Sequence, residues 1–581
     1  MSTDLNNIVS IKIGGQAGQG IKSVGLLFSK LAVRSGYNIY NHIEFPSLIR
    51  GGHNVMQINF SKDIVAAAQS KTDLLIALNQ DTVNRHVASL KKGGGIVYDL
   101  NGNFDTTKFT DGVVIYPVPL AKLAADAGGK ELFINIVALG TVVGLLKGNI
   151  EILKKLVEEE FANKGNEIVT ANQKAAELGY KYALDNFKDK ITAKLAPTES
   201  VDSFVPNMVI NGAEAVALSA IASGLQFAAI YPMSPISNIL AVLAENQEEY
   251  GYIYKQPEDE ISAINMSLGA SFAGARAMTA TSGGGFCLMT EGYGLAGMTE
   301  TPIVIVEGMR GGPATGLPTW GGQGDLQFVL HAHQDDFARI VLAAGDAKEA
   351  FEMTGLAFNL ADKYQTPVVL LIDKNICEND QSFPFIDTSL YQIDRGDLAL
   401  SKVENYQRFK VASNGISTRT IPGSGNFFVA NSDEHDETGY STEEIVERNA
   451  MFEKRMHKLD TCAKEDMQAP IVYGAKDAKT TIVSWGSTKG SILQALLNLP
   501  DVNFVQLAWL NPFPTDALKK ILSKTQNILC IEGNYTGQLS GLIREKTGIE
   551  ITNKLLKYDG RPFYPEEIID KINSIVKGGI Q

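Results

Sequence analysis

The chain has 581 residues, 44% of them hydrophobic and 20% charged, which is typical of a globular protein large enough for several domains with full-sized cores. Its 65 acidic and 52 basic residues give a formal net charge of −13, which argues against a nucleic-acid binder or a protein of anionic membrane surfaces. The four cysteines are too far apart in sequence for the local spacings of iron–sulfur or zinc sites, and their scarcity predicts a reducing, cytoplasmic location. The N-terminal residues lack a signal-peptide pattern, and the uncharged stretches 132–146 and 215–244 predict buried elements rather than membrane spans.

Residues 1–190 are predicted to form one α/β domain. An apolar run at 8–13 is typical of a strand buried on both faces, and a glycine-rich loop at 14–20 leads from it into a helical pattern. Further strands are predicted at 73–78 and 95–98, alternating with helical segments. This alternation favours a parallel sheet with right-handed crossovers.

The rest of the chain predicts a linker, two further α/β domains and a segment that connects them. Residues 191–205 are polar and contain proline, as in a linker. Residues 206–390 predict the second α/β domain, 391–470 a more irregular connecting segment, and 471–581 the third α/β domain. In these two domains short apolar runs predict buried strands at 227–231, 277–281, 302–307, 367–373, 480–484, 503–506 and 527–532.

The glycine loop at 14–20 is a candidate phosphate site. Its sequence, GGQAGQG, lies between a predicted strand and a predicted helix, where backbone amides are able to hold a phosphate. The glycine spacing differs from both the dinucleotide fingerprint and the P-loop, although Glu44 would be available to contact a ribose. A tight packing turn is the alternative interpretation.

A stiff loop follows the predicted strand at 227–231. It reads Tyr231-Pro232-Met-Ser234-Pro235, and each proline fixes one backbone dihedral. Sites of α/β proteins form at the carboxyl ends of parallel strands, so this loop is a candidate site, with a structural turn as the alternative.

Glu260 opens a predicted helix whose following residues are small or apolar. A carboxylate in the first turn of a helix is stabilised by the helix dipole. Glu258 and Asp259, beside it, are interpreted as ordinary N-terminal helix charges.

Arg310 follows the predicted strand at 302–307 and stands among glycines, with hydroxyls at Thr315 and Thr319. A guanidinium in such a loop suits bidentate recognition of a carboxylate or phosphate, whereas a solvated loop charge is the alternative. His331 and His333 are weaker candidates for general acids. Glu434, His435 and Asp436, within the acidic string 433–437, are weak candidates for metal ligands.

Taken together, these strings resemble the 2-oxoacid:ferredoxin oxidoreductases, and the chain is similar to their α subunit with the γ domain fused at its N-terminus. The γ-type pattern is GGQAGQG with Arg50-Gly51-Gly52. The pattern of the pyrimidine-binding domain is YPMSPIS from 231, EDEISAIN from 258 and RGGPATGLPTWGGQGDL from 310. A transketolase C-terminal-like domain is indicated by VSWGS at 483–487 and EGNYTGQ at 532–538.

The resemblance implies an enzyme that decarboxylates a 2-oxoacid oxidatively, forms an acyl-coenzyme A and passes electrons to ferredoxin. It implies thiamine diphosphate shared with a separate β subunit, which holds the diphosphate, Mg²⁺ and a [4Fe–4S] cluster, in an (αβ)₂ assembly. The scattered cysteines and the absence of the GDG…N diphosphate string from this sequence agree with that division. We expect 2-oxoglutarate as the substrate, with pyruvate as the alternative.

The resemblance also implies roles for individual residues. Glu260 corresponds to the carboxylate that meets N1′ of the cofactor's aminopyrimidine, with Tyr231 and Pro232 beside the cofactor. Arg310 corresponds to the arginine that binds the substrate carboxylate, with hydroxyl partners at Thr319, Thr315 and Ser234. The family's Y-P-I-T-P loop is Y-P-M-S-P here, which keeps a hydroxyl but leaves the fine substrate specificity open.

Two hypotheses of other classes remain open from the sequence alone. One is a nicotinamide-dependent dehydrogenase that uses the glycine loop at 14–20, which the irregular glycine spacing disfavours. The other is a non-catalytic scaffold subunit, which the retention of Glu260 and Arg310 disfavours.

Overall fold

A computed structural model describes residues 7–48, 51–109, 112–129, 133–188, 190, 207–388 and 391–578. They fall into two compact units. The first comprises the chain up to Ile210 together with Asn379–Ile386 and Tyr564–Glu567, and the second comprises the rest. The predicted linker at 191–205 lies outside the described residues.

The first unit has a mixed sheet flanked by helices. Its strands are β1 Val9–Gln16, β2 Asn38–Glu44, β3 His53–Ser61, β4 Thr72–Ala77, β5 Leu90–Asp99, β6 Val114–Val118, β7 Asn207–Ile210 and, later in the chain, β14 Gln381–Pro384. Its helices are α1 Ile21–Arg34, α2 Gln80–His86, α3 Leu120–Asp126, α4 Ile134–Leu145, α5 Ile150–Phe161 and α6 Asn166–Phe187.

The sheet of this unit is not the purely parallel one that the sequence predicts. Its order is β6-β5-β4-β1-β3-β2-β14-β7, and β1, β4, β5 and β6 are parallel. However, β3 lies between β1 and β2 and runs antiparallel to both. Polar residues interrupt β2 and β3, so they lack a continuous apolar run. Their buried polar groups are satisfied instead by bonds such as those from Gln57 Nε2 to Ser10 Oγ (2.8 Å) and to the Gln69 carbonyl (2.7 Å).

The second unit contains the remaining elements. Its strands are β8 Phe227–Ala229, β9 Ile253–Lys255, β10 Ala277–Thr281, β11 Ile303–Met309, β12 Ile340–Ala343, β13 Pro367–Asp373, β15 Leu398–Ala399, β16 Arg419–Thr420, β17 Ile471–Gly474, β18 Thr480–Ser484, β19 Val502–Gln506, β20 Trp509–Asn511, β21 Asn527–Glu532 and β22 Asn553–Leu556. Its helices are α7 Gly212–Ala222, α8 Ser237–Tyr250, α9 Glu260–Phe272, α10 Gly283–Met298, α11 Leu326–His331, α12 Ala347–Tyr364, α13 Lys374–Glu378, α14 Ile445–Glu465, α15 Thr488–Leu496, α16 Thr515–Leu522, α17 Gln538–Thr547 and α18 Pro565–Gly578, whose first turn belongs to the first unit.

Two large sheets organise this unit, and β15 and β16 form a separate two-stranded pair. A seven-stranded sheet has the order β20-β12-β13-β11-β10-β8-β9, and a five-stranded sheet has the order β17-β19-β18-β21-β22. Strands β8, β10, β11 and β13 are parallel neighbours, so their carboxyl ends meet at one edge. Strand β20 pairs antiparallel with β12 and so ties the last part of the chain to the larger sheet. The α/β fold class is confirmed, whereas domain boundaries at 390 and 470 stay predictions.

The segment 391–470, expected to be irregular, contains the 21-residue helix α14. The sequence pattern hides this helix because its buried side carries charged residues. Lys454 Nζ and Lys458 Nζ each lie 2.6 Å from the carboxylate of Glu300, and all three side chains are almost fully buried. A buried helix face normally consists of apolar residues, so hydrophobic periodicity does not mark this one.

The uncharged stretch at 132–146 contains α4, which is buried in the first unit, as expected. In the described part of the chain, no helix combines the length and the apolar character needed to cross a membrane.

Candidate active site

The candidate site lies at the carboxyl edge of the seven-stranded sheet, in the second unit. The connection after β9 leads from this edge to Glu260, and those after β8, β10 and β11 also leave this edge. They carry the stiff loop that begins near Tyr231, the turn at Ser282 into α10, and the long loop that begins at Arg310. The sequence folds this way because β8, β10 and β11 are short, almost entirely buried and mostly apolar. The chain leaves them at Tyr231-Pro232, Ser282 and Arg310.

Glu260 is the first residue of α9, and its side chain is only 3% exposed. Asp259 caps the helix by accepting a hydrogen bond from the Ser262 backbone N–H at 2.7 Å, which confirms its interpretation as a helix-terminal charge. Glu260 Oε1 is buried and, among the described residues, has no hydrogen-bond partner. A buried carboxyl oxygen without a partner is costly, so this atom is available to a group that binds in the site.

Space beside the Glu260 carboxyl group is provided by Gly285, in the first turn of α10. A Cβ atom on Gly285 would lie 2.6 Å from Glu260 Oε1 and would also clash with the hydroxyl of Thr281. Glycine is therefore required here by close packing against the carboxyl group, since its φ is not positive.

Arg310 is half-buried, and its guanidinium Nη1 donates a hydrogen bond to the backbone carbonyl of Ser234 at 2.9 Å. The structure thus brings the predicted arginine and the predicted stiff loop together. It does so through the carbonyl of Ser234, whereas the sequence analysis expected the hydroxyl to contribute. Tyr231 is half-buried and Pro232 is exposed in the same loop.

The loop after Arg310 turns back on itself, because the Leu317 N–H donates to the Gly311 carbonyl at 2.7 Å. Thr319 is buried in this loop and Thr315 is exposed. Within the described residues, no hydrogen bond joins the side chain of either threonine to Arg310, so their substrate roles stay predictions.

Gln323 anchors the end of this loop, and the sequence analysis missed it. Its Oε1 accepts from the Gly533 N–H at 2.7 Å, its Nε2 donates to the Trp485 carbonyl at 3.0 Å, and its own N–H donates to the Gly533 carbonyl at 2.8 Å. Trp485 and Gly533 belong to the strings VSWGS and EGNYTGQ. Those strings therefore fix the loop that carries the site.

Three carboxyl groups near this edge, the buried Glu307 and Asp373 and the half-buried Asp325, were not among the candidates from the sequence. Burial, reinforced by the neighbouring Asp325, raises the pKa of Glu307 well above its usual value. Burial likewise raises the pKa of Asp325, and it raises that of Asp373 to about 6. The sequence does contain one indication of this cluster. Glu307 is an acidic residue at the end of the predicted buried strand PIVIVE, and acidic residues are seldom buried without a partner.

The weaker candidates have structural partners instead. His331 and His333 are exposed or half-buried and bond the backbone carbonyls of Gln327 and Gln334 through Nδ1, at 2.8 and 2.7 Å. The carboxylate of Glu434 is engaged by Arg448 and Arg455. The part of the chain that is described contains no group of three or more His, Cys, Asp and Glu side chains able to hold a metal ion, so a metal site at 433–437 is not supported.

The glycine loop of the first unit borders a cleft of about 530 Å³ at the carboxyl ends of β4 and β5. Gln19 from the loop and Asp99 from β5 line it. Strand β1 runs through the first two glycines, and Gly20 adopts a φ of +71° before α1. Glu44 lies 3.2 Å from His42 Nε2, which accounts for its carboxylate without a ribose. Arg50 lies outside the described residues.

Comparisons with known proteins find two matching family models and similar relatives. Residues 10–182 match the family model described as pyruvate ferredoxin/flavodoxin oxidoreductase, and residues 218–454 match the one described as its thiamine-diphosphate-binding domain. The chain is 33% identical to the 2-oxoacid:ferredoxin oxidoreductase subunit alpha of a Sulfolobus species, over 98% of this chain and 97% of that protein. It is 27% identical to the 2-oxoglutarate oxidoreductase subunit KorA of Mycobacterium tuberculosis, over 99% and 92% of the two chains.

A solved structure gives the same result for the fold. The 2-oxoglutarate:ferredoxin oxidoreductase from Magnetococcus marinus, with 2-oxoglutarate, coenzyme A and succinyl-CoA bound, is 31% identical and superposes with a TM-score of 0.91 over 98% of this chain and 99% of that one. The resemblance stated from the sequence is confirmed. This chain belongs to the α-subunit family of the thiamine-diphosphate-dependent 2-oxoacid:ferredoxin oxidoreductases.

Proposed function

We propose that this chain is the pyrimidine- and substrate-binding subunit of an enzyme that oxidatively decarboxylates 2-oxoglutarate to the acyl-coenzyme A. The observation that carries the proposal is the buried, unpartnered Glu260 Oε1 at the same sheet edge as Arg310. Pyruvate is the alternative substrate. The support for 2-oxoglutarate is the substrate named for the relatives from Magnetococcus marinus and Mycobacterium tuberculosis.

The residues around Glu260 fit thiamine diphosphate. That cofactor, when bound, supplies a nucleophilic carbon and an electron sink for decarboxylation. Glu260 would hold a proton against N1′ of the aminopyrimidine, which gives the orphaned oxygen its missing partner. Gly285 leaves room for this contact, and Tyr231 and Pro232 would border the ring from the stiff loop.

Arg310 is proposed to bind the substrate carboxylate. A guanidinium has five N–H donors, and one N–H of Nη1 donates to the Ser234 carbonyl. The remaining donors form a planar fork that matches a carboxylate. Thr319, Thr315 and the hydroxyl of Ser234 are proposed as its polar neighbours in the bound state.

Binding of the cofactor's diphosphate and transfer of the electrons would require a partner subunit. The sequence has neither the GDG…N diphosphate string nor clustered cysteines, and three of the four cysteines are buried apart from one another. We therefore assign the diphosphate, Mg²⁺ and a [4Fe–4S] cluster to a β subunit that forms an (αβ)₂ assembly with this chain in the cytoplasm and reduces ferredoxin. Coenzyme A, which is bound in the Magnetococcus marinus relative, is the proposed acyl acceptor.

The test is coexpression of this chain with the β-type product of the neighbouring gene, followed by reduction of methyl viologen. We expect reduction that requires a 2-oxoacid, coenzyme A and thiamine diphosphate, with a higher kcat/KM for 2-oxoglutarate than for pyruvate, and no activity from the chain alone. A higher value for pyruvate would select the alternative substrate. Absence of reduction with every 2-oxoacid would reject the function, and substrate-dependent NAD⁺ reduction without viologen would favour a dehydrogenase.

A further inference from the structure

Glu307 and Asp325 form a pair of carboxyl groups next to the candidate site. Glu307 lies in β11 and is fully buried. Asp325 ends the loop that begins at Arg310, immediately before α11, and its side chain is in hydrogen-bonding contact with Glu307. Two carboxylates in contact would repel each other, and burial away from water strengthens that repulsion.

No other group satisfies this pair. Neither oxygen of Glu307 receives a hydrogen bond from any N–H or O–H group among the described residues. The carboxyl group of Asp325 likewise accepts no bond from a described amide, hydroxyl or amine. The only hydrogen bond available between two carboxyl groups is one made by a proton that belongs to one of them, as in other carboxyl dyads.

Asp325 packs against helix α10 and interacts electrostatically with Arg310, two parts of the candidate site. A Cβ on Gly283, the first residue of α10, would lie 2.5 Å from Asp325 Oδ2, so Asp325 packs directly against the helix that also carries Gly285. The positive charge of Arg310 also acts on the Asp325 carboxyl group and favours its ionised form. Cys287 of α10 and Cys377 of α13 also interact electrostatically with Glu307.

We propose that Glu307 and Asp325 share a single proton, and that the one negative charge left on Asp325 positions the Arg310 guanidinium for the substrate carboxylate. Glu307 is the proton donor within the pair, because it is the more deeply buried group and a neutral acid is less costly there. The inference rests on the proposed function of Arg310. Asp325 and Glu307 are positioning residues, since neither is required to touch the substrate.

The shared proton is tested without activity, by infrared difference spectroscopy of the full chain copurified with its β partner. We expect a protonated carboxyl absorption at neutral pH that loses the intensity of one group in Glu307→Gln. Glu352→Gln, which removes an exposed carboxylate that pairs with Lys348 on α12, should leave this absorption unchanged. If Glu307→Gln leaves the absorption intact while thermal unfolding shows that the variant is folded, the shared proton is rejected, even if the enzyme is fully active.

The positioning role is tested by the pH dependence of KM in the active complex. Loss of the proton at high pH leaves two charges, and full protonation at low pH leaves none, so the affinity for the 2-oxoacid should fall on both sides of a maximum. In Glu307→Gln the amide N–H₂ donates permanently to Asp325, so the alkaline fall should disappear while kcat stays within about twofold.

Asp325→Asn should raise KM about tenfold or more and change kcat much less, because it removes the charge that acts on Arg310. An unchanged KM in a folded Asp325→Asn variant, or an unchanged alkaline fall in Glu307→Gln, would overturn the positioning role. If the complex is inactive with every 2-oxoacid, the proposed function fails, but the infrared result still decides whether the proton is shared.

Discussion

Glu260 and Gly285 pack so closely that a Cβ atom on the glycine would lie 2.6 Å from Glu260 Oε1. The two residues come from different helices, α9 and α10, which begin at the same edge of the sheet. Because the oxygen has no partner among the described residues, the shape of the site at this point is set by the absence of a side chain at Gly285. The role proposed for Glu260 therefore depends on a residue that has no side-chain chemistry of its own.

Replacing Gly285 with alanine is expected to abolish activity. The added methyl group has no free space, since it meets both the Glu260 carboxyl group and the Thr281 hydroxyl, so the carboxyl group must move. We expect kcat/KM to fall by about a hundredfold or more, which is the scale of losing a positioned acid–base group. Gly284→Ala is the matched control, because the nearest atom to its new Cβ would be 3.9 Å away. Equal activities in the two variants would contradict the packing argument.

Replacing Glu260 with glutamine is expected to stop turnover with little change in thermal unfolding. The amide has nearly the same shape but is unable to exchange a proton with N1′, so kcat should fall by about a hundredfold or more. Glu258→Gln is the control. Glu258 is exposed, lies just before the same helix, and its carboxylate accepts a hydrogen bond from Ser262 Oγ at 3.2 Å. Viologen reduction should separate the two variants, and turnover close to wild type in Glu260→Gln would remove the catalytic role.

Replacing Arg310 with lysine is expected to raise KM for the 2-oxoacid by about tenfold or more, with a smaller change in KM for coenzyme A. Lysine keeps the charge but lacks the planar fork, and it has fewer donors to divide between the Ser234 carbonyl and a carboxylate. Arg544→Lys on the exposed side of α17 controls for the general substitution. Steady-state kinetics give both KM values. A KM for the 2-oxoacid that Arg310→Lys leaves unchanged would mean that another residue binds the substrate carboxylate.

The sequence predicted the strands that end at the site better than it predicted their surroundings. Strands β10, β11 and β13 are fully buried and mostly apolar, and short runs of this kind are the clearest signal of buried parallel strands. Helix α14 and the antiparallel strand β3 were missed because charged and polar groups fill their buried positions, and hydrogen bonds or ion pairs compensate for that burial.

The pairing of Glu307 with Asp325 and the anchoring of Gln323 by Trp485 and Gly533 were also beyond sequence reasoning. Both join residues that are distant along the chain, and composition or periodicity carries no information about such pairs. The position of Arg310 among glycines was predictable, but its bond to the Ser234 carbonyl depends on how two loops of the same sheet edge approach each other.

Asp362→Asn is expected to destabilise the chain strongly. The carboxylate is buried and engages Arg276 and Arg419 at 2.9 Å and Arg395 at 2.8 Å. Removing its charge leaves guanidinium groups buried without a counter-ion, at a cost of about 3–5 kcal/mol. Asp185→Asn, at an exposed position in the first unit, is the control. Chemical denaturation gives the difference, and a loss below about 1 kcal/mol would mean that water replaces the carboxylate.

Glu434→Gln is expected to destabilise the chain at neutral pH and to have progressively less effect in acid. Burial alone would raise the pKa of Glu434, but the hydrogen bonds and charges of Arg455 and Arg448 outweigh it and hold the pKa at about 2. Since the folded pKa lies below the unfolded value near 4.5, the stabilisation is fully present above that value and is lost as pH falls toward 2.

The gap in melting temperature between Glu434→Gln and the wild type should therefore be largest near pH 7 and shrink steadily below about pH 4.5. The control is Glu437→Gln in the same acidic string, since the Glu437 carboxylate accepts, from the described residues, a single hydrogen bond, from the backbone of Val411. It should show a small gap that depends little on pH. A gap for Glu434→Gln that stays constant down to pH 3 would mean that the two arginines stabilise the fold through packing of their side chains and not through the charge of Glu434.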